Sequence, residues 1–257
     1  MENVSRETLA KWLFVETEYL NEFCDRNRLD VSEMQKEQLL DYAKWIWETN
    51  QVINLVSRKD EINILRRHIC HALSINILAP TFKTKVCIDL GTGGGIPGIP
   101  FAITHPESKV LLVDSIQKKI NALQSYIEGY SKLESEKSDE KFKIGSGNRN
   151  PDINVPKNIY TMRARVEEPT VAKHKNVDAV ITRGVATIST ILDWTTDLRE
   201  SKNSFTYVFL KGGMLEEEFE PIPLAIKKKM KDISVHPITH FGSDFIGEEK
   251  YVIKIEF

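Results

Sequence analysis

The chain has 257 residues, of which 41% are hydrophobic and 28% charged, and its formal net charge is −2. This length and composition are ordinary for a globular protein, with room for one large domain or for a catalytic domain with a smaller extension. The balanced charge excludes a general attraction to nucleic acid, so any RNA contact must come from local basic patches. Three cysteines, none spaced as Cys-x-x-Cys, argue against a disulfide framework and a zinc site.

Residues 1–80 are predicted to be helical. Two series of apolar residues recur at three- and four-residue spacings, and Ser32-Glu33-Met34-Gln35 has the form of a capping box before the second series. A third helix is predicted from about residue 60 to residue 78, and Pro80 ends it. We therefore expect an N-terminal helical extension that packs on the domain that follows.

Residues 81–257 alternate between strand and helix patterns, which predicts a mostly parallel sheet with helices on both faces. The last two strands are close in sequence and predict an antiparallel hairpin at the sheet edge. Residues 131–157 are rich in Ser, Lys, Glu, Gly and Asn, which predicts a flexible, solvated insertion; an RNA-binding flap is the alternative. The strands are predicted at 86–89, 109–114, 159–164, 177–182, 205–210, 232–239 and 249–257.

A glycine-rich turn follows the first strand at Asp89-Leu90-Gly91-Thr92-Gly93-Gly94-Gly95, and Pro97 stands where a helix would begin. A strand, such a turn and a helix N-terminus together form a nucleotide-type cofactor site. The spacing Asp-x-Gly-x-Gly-x-Gly favours S-adenosylmethionine (SAM), because SAM has no phosphate for the acid to repel and carries an ammonium and a sulfonium. A shifted match, Gly93-x-Gly95-x-x-Gly98, leaves a dinucleotide open, and a merely structural turn is the third interpretation.

Further candidates follow the strand ends, where open α/β sheets bind their ligands. Asp114 could accept both ribose hydroxyls of SAM or NAD, or serve only as an acid at a helix start. Arg183 ends the fourth strand and faces the cleft, or forms a salt bridge at its rim. The sequence contains no recognisable Ser-His-Asp or Cys-His set, and His68 and His71 have no third metal ligand nearby, so we predict no metal site.

These motifs resemble those of the small-subunit (16S) ribosomal RNA guanine-N7 methyltransferase family, RsmG or GidB, over about residues 35 to 257 outside the insertion. The chain departs from the family pattern with Thr49 for Trp, His71 for Asp and Gly184-Val185 for Ala-Phe. The motifs that carry the resemblance are Asn50-Gln51-Val52-Ile53-Asn54-Leu55, Arg67-His68-Ile69, Asp89 to Pro100, Leu112-Val113-Asp114-Ser115, Arg165-Val166-Glu167-Glu168, Ile181-Thr182-Arg183 and Leu210-Lys211-Gly212-Gly213.

The resemblance implies a Rossmann-like methyltransferase fold, with a mostly parallel seven-stranded sheet and an antiparallel edge strand, and SAM as the cofactor. Because Arg183 ends the fourth strand at the cleft, we also predict that it is the catalytic residue. The expected cofactor contacts are Asp89, Gly93 and Asp114 from the turn and the strand ends, and Gly91, Ile96, Val166, Glu167 and Arg183 from the resemblance.

The implied reaction is methyl transfer to N7 of a guanosine in small-subunit ribosomal RNA, either naked or in a ribosomal particle. Because guanine N7 already carries a free lone pair, alignment is the main requirement and no general base is expected. We expect a cytoplasmic monomer without membrane contact. A SAM-dependent enzyme of small molecules and a non-catalytic ribosome assembly factor are the alternatives. The expected RNA contacts are Arg67, His68, Lys118, Lys119, Arg183 and Lys211.

Overall fold

The structure is a computed structural model, and for residues 6–13 it describes the backbone alone. Most of the predicted insertion at 131–157 lies outside the described residues, as does Val166, one of the expected cofactor contacts. The residues that it describes are 6–57, 63–128, 155–165, 167, 171, 176–238 and 249–257.

The N-terminal part consists of helices, as the spacing of apolar residues predicts. The capping box at the start of the second helix is confirmed, because the Ser32 hydroxyl accepts from Gln35 N–H and the Gln35 side chain accepts from Ser32 N–H. The predicted third helix is broken into three segments of different pitch. In chain order the elements are α1 (Arg6–Asn27), α2 (Glu33–Asn50), a π-helix (Ile64–Ile69), α3 (Cys70–Leu73) and a 3-10 helix (Ser74–Leu78).

A seven-stranded sheet in the order β3-β2-β1-β4-β5-β7-β6 follows, which confirms the predicted fold class. Strands β1 to β5 are parallel, and the predicted hairpin places the one reversed strand, β7, next to the edge strand β6. The strands are β1 (Val86–Leu90), β2 (Lys109–Asp114), β3 (Ile159–Arg163), β4 (Ala179–Arg183), β5 (Thr206–Gly212), β6 (Asp232–Pro237) and β7 (Lys250–Glu256). The remaining described helices are α4 (Gly98–Thr104), α5 (Gln117–Ile127), α6 (Ile188–Trp194), α7 (Thr196–Glu200), α8 (Leu215–Phe219) and α9 (Leu224–Lys227).

Helices cover both faces of the sheet, so the central strands are apolar on both sides. On one face, Tyr42 and Trp45 of α2 stack and meet Tyr126 of α5. On the other face, Tyr207 and Phe209 of β5 pack with α6 and α7. The N-terminal helices therefore share a core with the sheet, while the division into an extension and a domain stays a prediction.

Strand β1 lies between β2 and β4, and the direction in which the chain adds strands reverses there. Ligands of open α/β sheets bind outside the carboxyl ends of the strands at such a point. Within the described part of the chain, no helix has the length and apolarity required to cross a bilayer.

Candidate active site

Asp89 holds the glycine-rich turn to the helix that follows it. Its Oδ2 accepts hydrogen bonds from the Thr92 hydroxyl at 2.5 Å and from the Gly98 backbone N–H, the first residue of α4, at 2.8 Å. A Cβ atom on Gly98 would lie 2.7 Å from the same oxygen, so only glycine permits this approach. Asp89 therefore fixes both the turn and the N-terminus of α4.

The second carboxylate oxygen of Asp89 has a different environment. The side chain is fully buried, and Oδ1 accepts no hydrogen bond from any residue that the structure describes. Burial raises the pKa of Asp89 to about 7, although hydrogen bonds from Thr92 and Gly98 and the charge of Arg183 act to lower it. A positively charged ligand near the turn would stabilise the ionised form of this carboxylate.

The glycines of the turn are required by backbone angles and by close packing. Gly91, Gly93 and Gly95 have φ values of 64°, 59° and 95°, which side chains rarely adopt. A Cβ atom on Gly91 would lie 2.5 Å from Cγ2 of Val185, beyond the end of β4. The turn is also held from α2, where the buried hydroxyl of Tyr42 donates to the Gly94 carbonyl at 2.7 Å.

Asp114 ends β2 beside the turn. Its Oδ2 accepts from Gly93 N–H at 3.0 Å and its Oδ1 accepts from Ile116 N–H at 2.9 Å, at the start of α5. The carboxylate thus connects the turn to a helix start, and each oxygen retains a lone pair that a ribose hydroxyl could use. Both interpretations of Asp114 made from the sequence are compatible with this geometry.

A cavity of about 440 Å³ opens next to the turn. It lies between the carboxyl ends of β4 and β5 and the π-helix. Leu55 separates the cavity from the turn, because a Cβ atom on Gly94 would lie 3.1 Å from Leu55 Cβ. The segment around Leu55 is shaped by buried Asn50, whose Oδ1 accepts from the backbone N–H groups of Leu55 and Val56 at 2.8 and 3.0 Å. The described residues that line the cavity are Leu55, Val56, Ser57, Arg67, His68, His71, Arg183, Gly184, Leu210, Lys211, Gly212 and Lys250.

Arg183 lies between the turn and the cavity. Its guanidinium Nη2 is 2.8 Å from His68 Nδ1 on the π-helix. Because a guanidinium only donates, His68 Nδ1 must accept, which assigns the ring proton of a neutral His68 to Nε2. The charge of Arg183 acts to lower the pKa of Asp89 on one side and of His71 on the other.

The family model for rRNA small subunit methyltransferase G (GidB) matches residues 35–137. A Chlorobium limicola protein named ribosomal RNA small subunit methyltransferase G is 35% identical over 203 residues, which cover 79% of each chain. The chain belongs to the GidB family. A Chlorobium phaeobacteroides protein of the same name is 32% identical, with 91% of this chain and 93% of that protein covered. Among solved structures, M. jannaschii TYW2 in complex with AdoMet is similar at 18% identity and a TM-score of 0.46, over 67% of this chain and 68% of that chain.

GidB membership confirms the resemblance seen in the sequence, and the structure brings part of the predicted site together. The glycine-rich turn contains Asp89, Gly91 and Gly93, and Asp114 joins it from the end of β2 by accepting from Gly93 N–H. Of the other expected cofactor contacts, Ile96 is buried and Glu167 is exposed after β3, while Val166 lies outside the described residues. These assignments stay predictions.

The expected RNA contacts divide into two groups. Arg67, His68 and Lys211 line the cavity with Arg183. Lys118 and Lys119 are not among its lining residues and lie in the first turn of α5, where Lys119 Nζ is 4.0 Å from the Cβ position of Gly93.

Lys211 is held by the protein. Its ammonium donates to Glu218 at 2.7 Å and to the Ala186 carbonyl at 2.6 Å. An ion pair of this kind reduces the charge that Lys211 can offer to a phosphate, so its predicted role in RNA binding is weakened on physical grounds.

The sequence did not predict two features of the site, a lysine of the cavity wall and a hydrogen bond that supports the turn. Lys250, at the start of β7, is distant in sequence from every motif, and the Tyr42 contact joins residues 52 positions apart. The Asn50 motif was visible, but its role in shaping the cavity wall was not. Within the described ranges, no group of three or more His, Cys, Asp or Glu side chains could hold a metal ion.

Proposed function

We propose that this chain transfers the methyl group of SAM to N7 of a guanosine in small-subunit ribosomal RNA. One observation carries the proposal: a glycine-rich turn and a cavity with several cationic side chains meet across Leu55, with Arg183 between them. Family membership supports the RNA substrate, because the relatives are named ribosomal RNA small subunit methyltransferases. The proposed partner is small-subunit RNA or a ribosomal particle, and the proposed location is the cytoplasm.

The turn suits SAM for reasons that concern this chain's own residues. Gly93, whose Cβ position has no atom of another described segment closer than 3.6 Å, leaves room for a ligand to approach the backbone, and Asp114 retains acceptor sites for ribose hydroxyls. Buried Asp89, whose Oδ1 has no partner among the described residues, would be stabilised by the positive charges of SAM but not by a pyrophosphate. When bound, SAM supplies an electrophilic methyl group.

The acceptor side requires alignment and electrostatics. Guanine N7 attacks with an existing lone pair, so no proton has to be removed first. The walls of the cavity would fix the base in line with the turn, which is the main source of rate enhancement for such a reaction. Arg183, which bonds to His68, would hold the acceptor at the boundary between the two parts of the site.

The proposal is tested with labelled SAM, purified protein and small subunits or subunit RNA that lack the modification. Label in RNA supports the proposal. Absence of label from RNA in every assembly state would contradict it and favour a small-molecule substrate, whereas subunit binding without turnover would favour an assembly factor. Thermal stabilisation by SAM, with no stabilisation by NAD, is the matching test of the cofactor.

A further inference from the structure

The cavity beside the glycine-rich turn receives cationic side chains from four separate segments. They are Arg67 of the π-helix, Arg183 at the end of β4, Lys211 at the end of β5 and Lys250 at the start of β7. The lining residues that the structure describes include no carboxylate. Convergence of cations from distant parts of the chain on one concave surface indicates an anionic ligand.

The positions of three of the four cations are defined by close contacts. Arg183 bonds to His68, and Lys211 bonds to Glu218 and to the backbone. Lys250 lies over the end of β5, since a Cβ atom on Gly212 would be 3.0 Å from Lys250 Nζ. The ammonium of Lys250 therefore lies close to the Gly212 backbone at the cavity wall.

The π-helix separates two neighbouring arginines. Arg66 turns toward α1, where its Nε lies 3.0 Å from buried Glu16 Oε1 and its guanidinium lies 4.6 Å from the centre of the Tyr19 ring. Arg67, the next residue, lines the cavity. This arrangement anchors one side of the π-helix and leaves the adjacent side to line the cavity, which suits a helical form that is frequent at functional sites.

The cationic side chains of the cavity act on His71, which also lines it. Burial lowers the pKa of His71 well below its usual value, and Arg183, Lys250 and His68 lower it further. The same charges that disfavour a proton on His71 favour an anion in the space that they line.

We propose that this cavity binds the acceptor nucleotide through a backbone phosphate as well as its base, with Arg67 and Lys250 as the phosphate contacts. The identification of the phosphate as part of RNA rests on the proposed function. The volume of about 440 Å³ lies within the range of pockets that bind small organic ligands, so a base with its ribose phosphate fits that range. The recognised chemistry is a singly charged phosphodiester.

The test compares two probes on the full chain in the presence of S-adenosylhomocysteine: guanosine, and guanosine 5′-(methyl phosphate), which carries a phosphodiester. Calorimetry or ligand-observed NMR is expected to show the phosphodiester bound about tenfold more tightly, as a charge-assisted hydrogen bond would give. Lys250→Gln and Arg67→Gln should each reduce this preference. Lys109→Gln, at the amino end of β2, should leave it unchanged because that end of the sheet is opposite the cavity.

Equal affinity for the two probes, no measurable binding of either, or an unchanged preference in both variants would overturn the inference. A control measurement of S-adenosylhomocysteine affinity in each variant separates a lost phosphate contact from a misfolded site. The inference and the proposed function can fail separately. Labelled RNA without any phosphate preference contradicts only the inference, and a phosphate preference without label in RNA contradicts only the proposed function.

Discussion

The glycine-rich turn and the adjacent cavity are built in different ways. The turn is local: Asp89, Gly91, Thr92 and Gly98 lie within ten residues, and Asp114 joins them from the next strand. The cavity is assembled from segments spread over most of the chain. Hydrogen bonds to the carboxylates of Asp89 and Asp114 fix the turn, whereas cationic side chains from separate segments line the cavity. Cofactor chemistry can thus be recognised in one stretch of sequence, while the acceptor side depends on the topology.

The largest expected effect comes from Gly91→Val, which changes the turn and leaves the cavity in place. Valine would adopt a strained positive φ, and its Cβ would overlap Val185. We expect no detectable SAM binding by calorimetry. Gly184→Val is the matched control, because Gly184 has a φ of 65° but no atom within 4 Å of its Cβ position. Unchanged SAM affinity in Gly91→Val would show that the cofactor binds elsewhere.

Arg183→Ala affects the boundary between the two regions. The substitution removes the charge that acts on both Asp89 and His71 and the bond to His68. We expect methyl transfer to fall about a hundredfold, the scale of losing one preorganised polar contact, while the variant still folds and unfolds in one cooperative thermal transition. Arg26→Ala, an exposed substitution on α1, should retain full activity. Full activity of Arg183→Ala would remove this residue from the site.

Asp89→Asn tests whether the carboxylate in the turn titrates near neutral pH. The pKa of Asp89 in the folded protein, about 7, exceeds its ordinary value of 3.8. The stability contributed by its protonated form is therefore complete below about pH 4 and is lost as the pH rises through 7. Asparagine can still accept from Thr92 and Gly98, and it does not ionise.

Melting temperatures of Asp89→Asn and of the unsubstituted protein should thus be similar at about pH 4, and the variant should become relatively more stable as the pH rises to 7, with little further change above it. The difference between the two curves removes the contributions of all other titrating groups. Parallel curves across this range would mean that Asp89 does not titrate there.

Tyr42→Phe should give the smallest effect, because it removes one hydroxyl that supports the turn from behind. The Gly94 carbonyl would lose its 2.7 Å hydrogen bond, at a cost of about 1 to 2 kcal/mol in the free energy of unfolding. SAM affinity should fall several-fold while the phosphate preference of the cavity stays the same. Tyr160→Phe, on the exposed face of β3, provides the control. A loss of phosphate preference in Tyr42→Phe would show that the two regions are not separable.

Much of the fold follows from local sequence patterns. Alternating apolar runs and breaks predict the parallel strands β1 to β5, and short spacing predicts the β6–β7 hairpin. The division of the third helix could not be predicted, because the bond from Cys70 N–H to the Leu65 carbonyl, five residues back, depends on how the segment packs. The proximity of Lys250 to the Arg67 segment could not be predicted either. It arises because β7 inserts between β5 and β6 in the sheet, which the sequence pattern does not indicate.

The central claim is that the turn and the cavity together methylate guanine N7. The most direct measurement is borohydride reduction and aniline cleavage of small-subunit RNA after incubation with the protein and SAM, because a methyl group at N7, unlike one at another position of guanine, makes the base reducible and the chain cleavable. Cleavage at one guanosine, dependent on SAM and absent with Gly91→Val, is the predicted result. Labelled RNA that resists cleavage would contradict N7 as the acceptor.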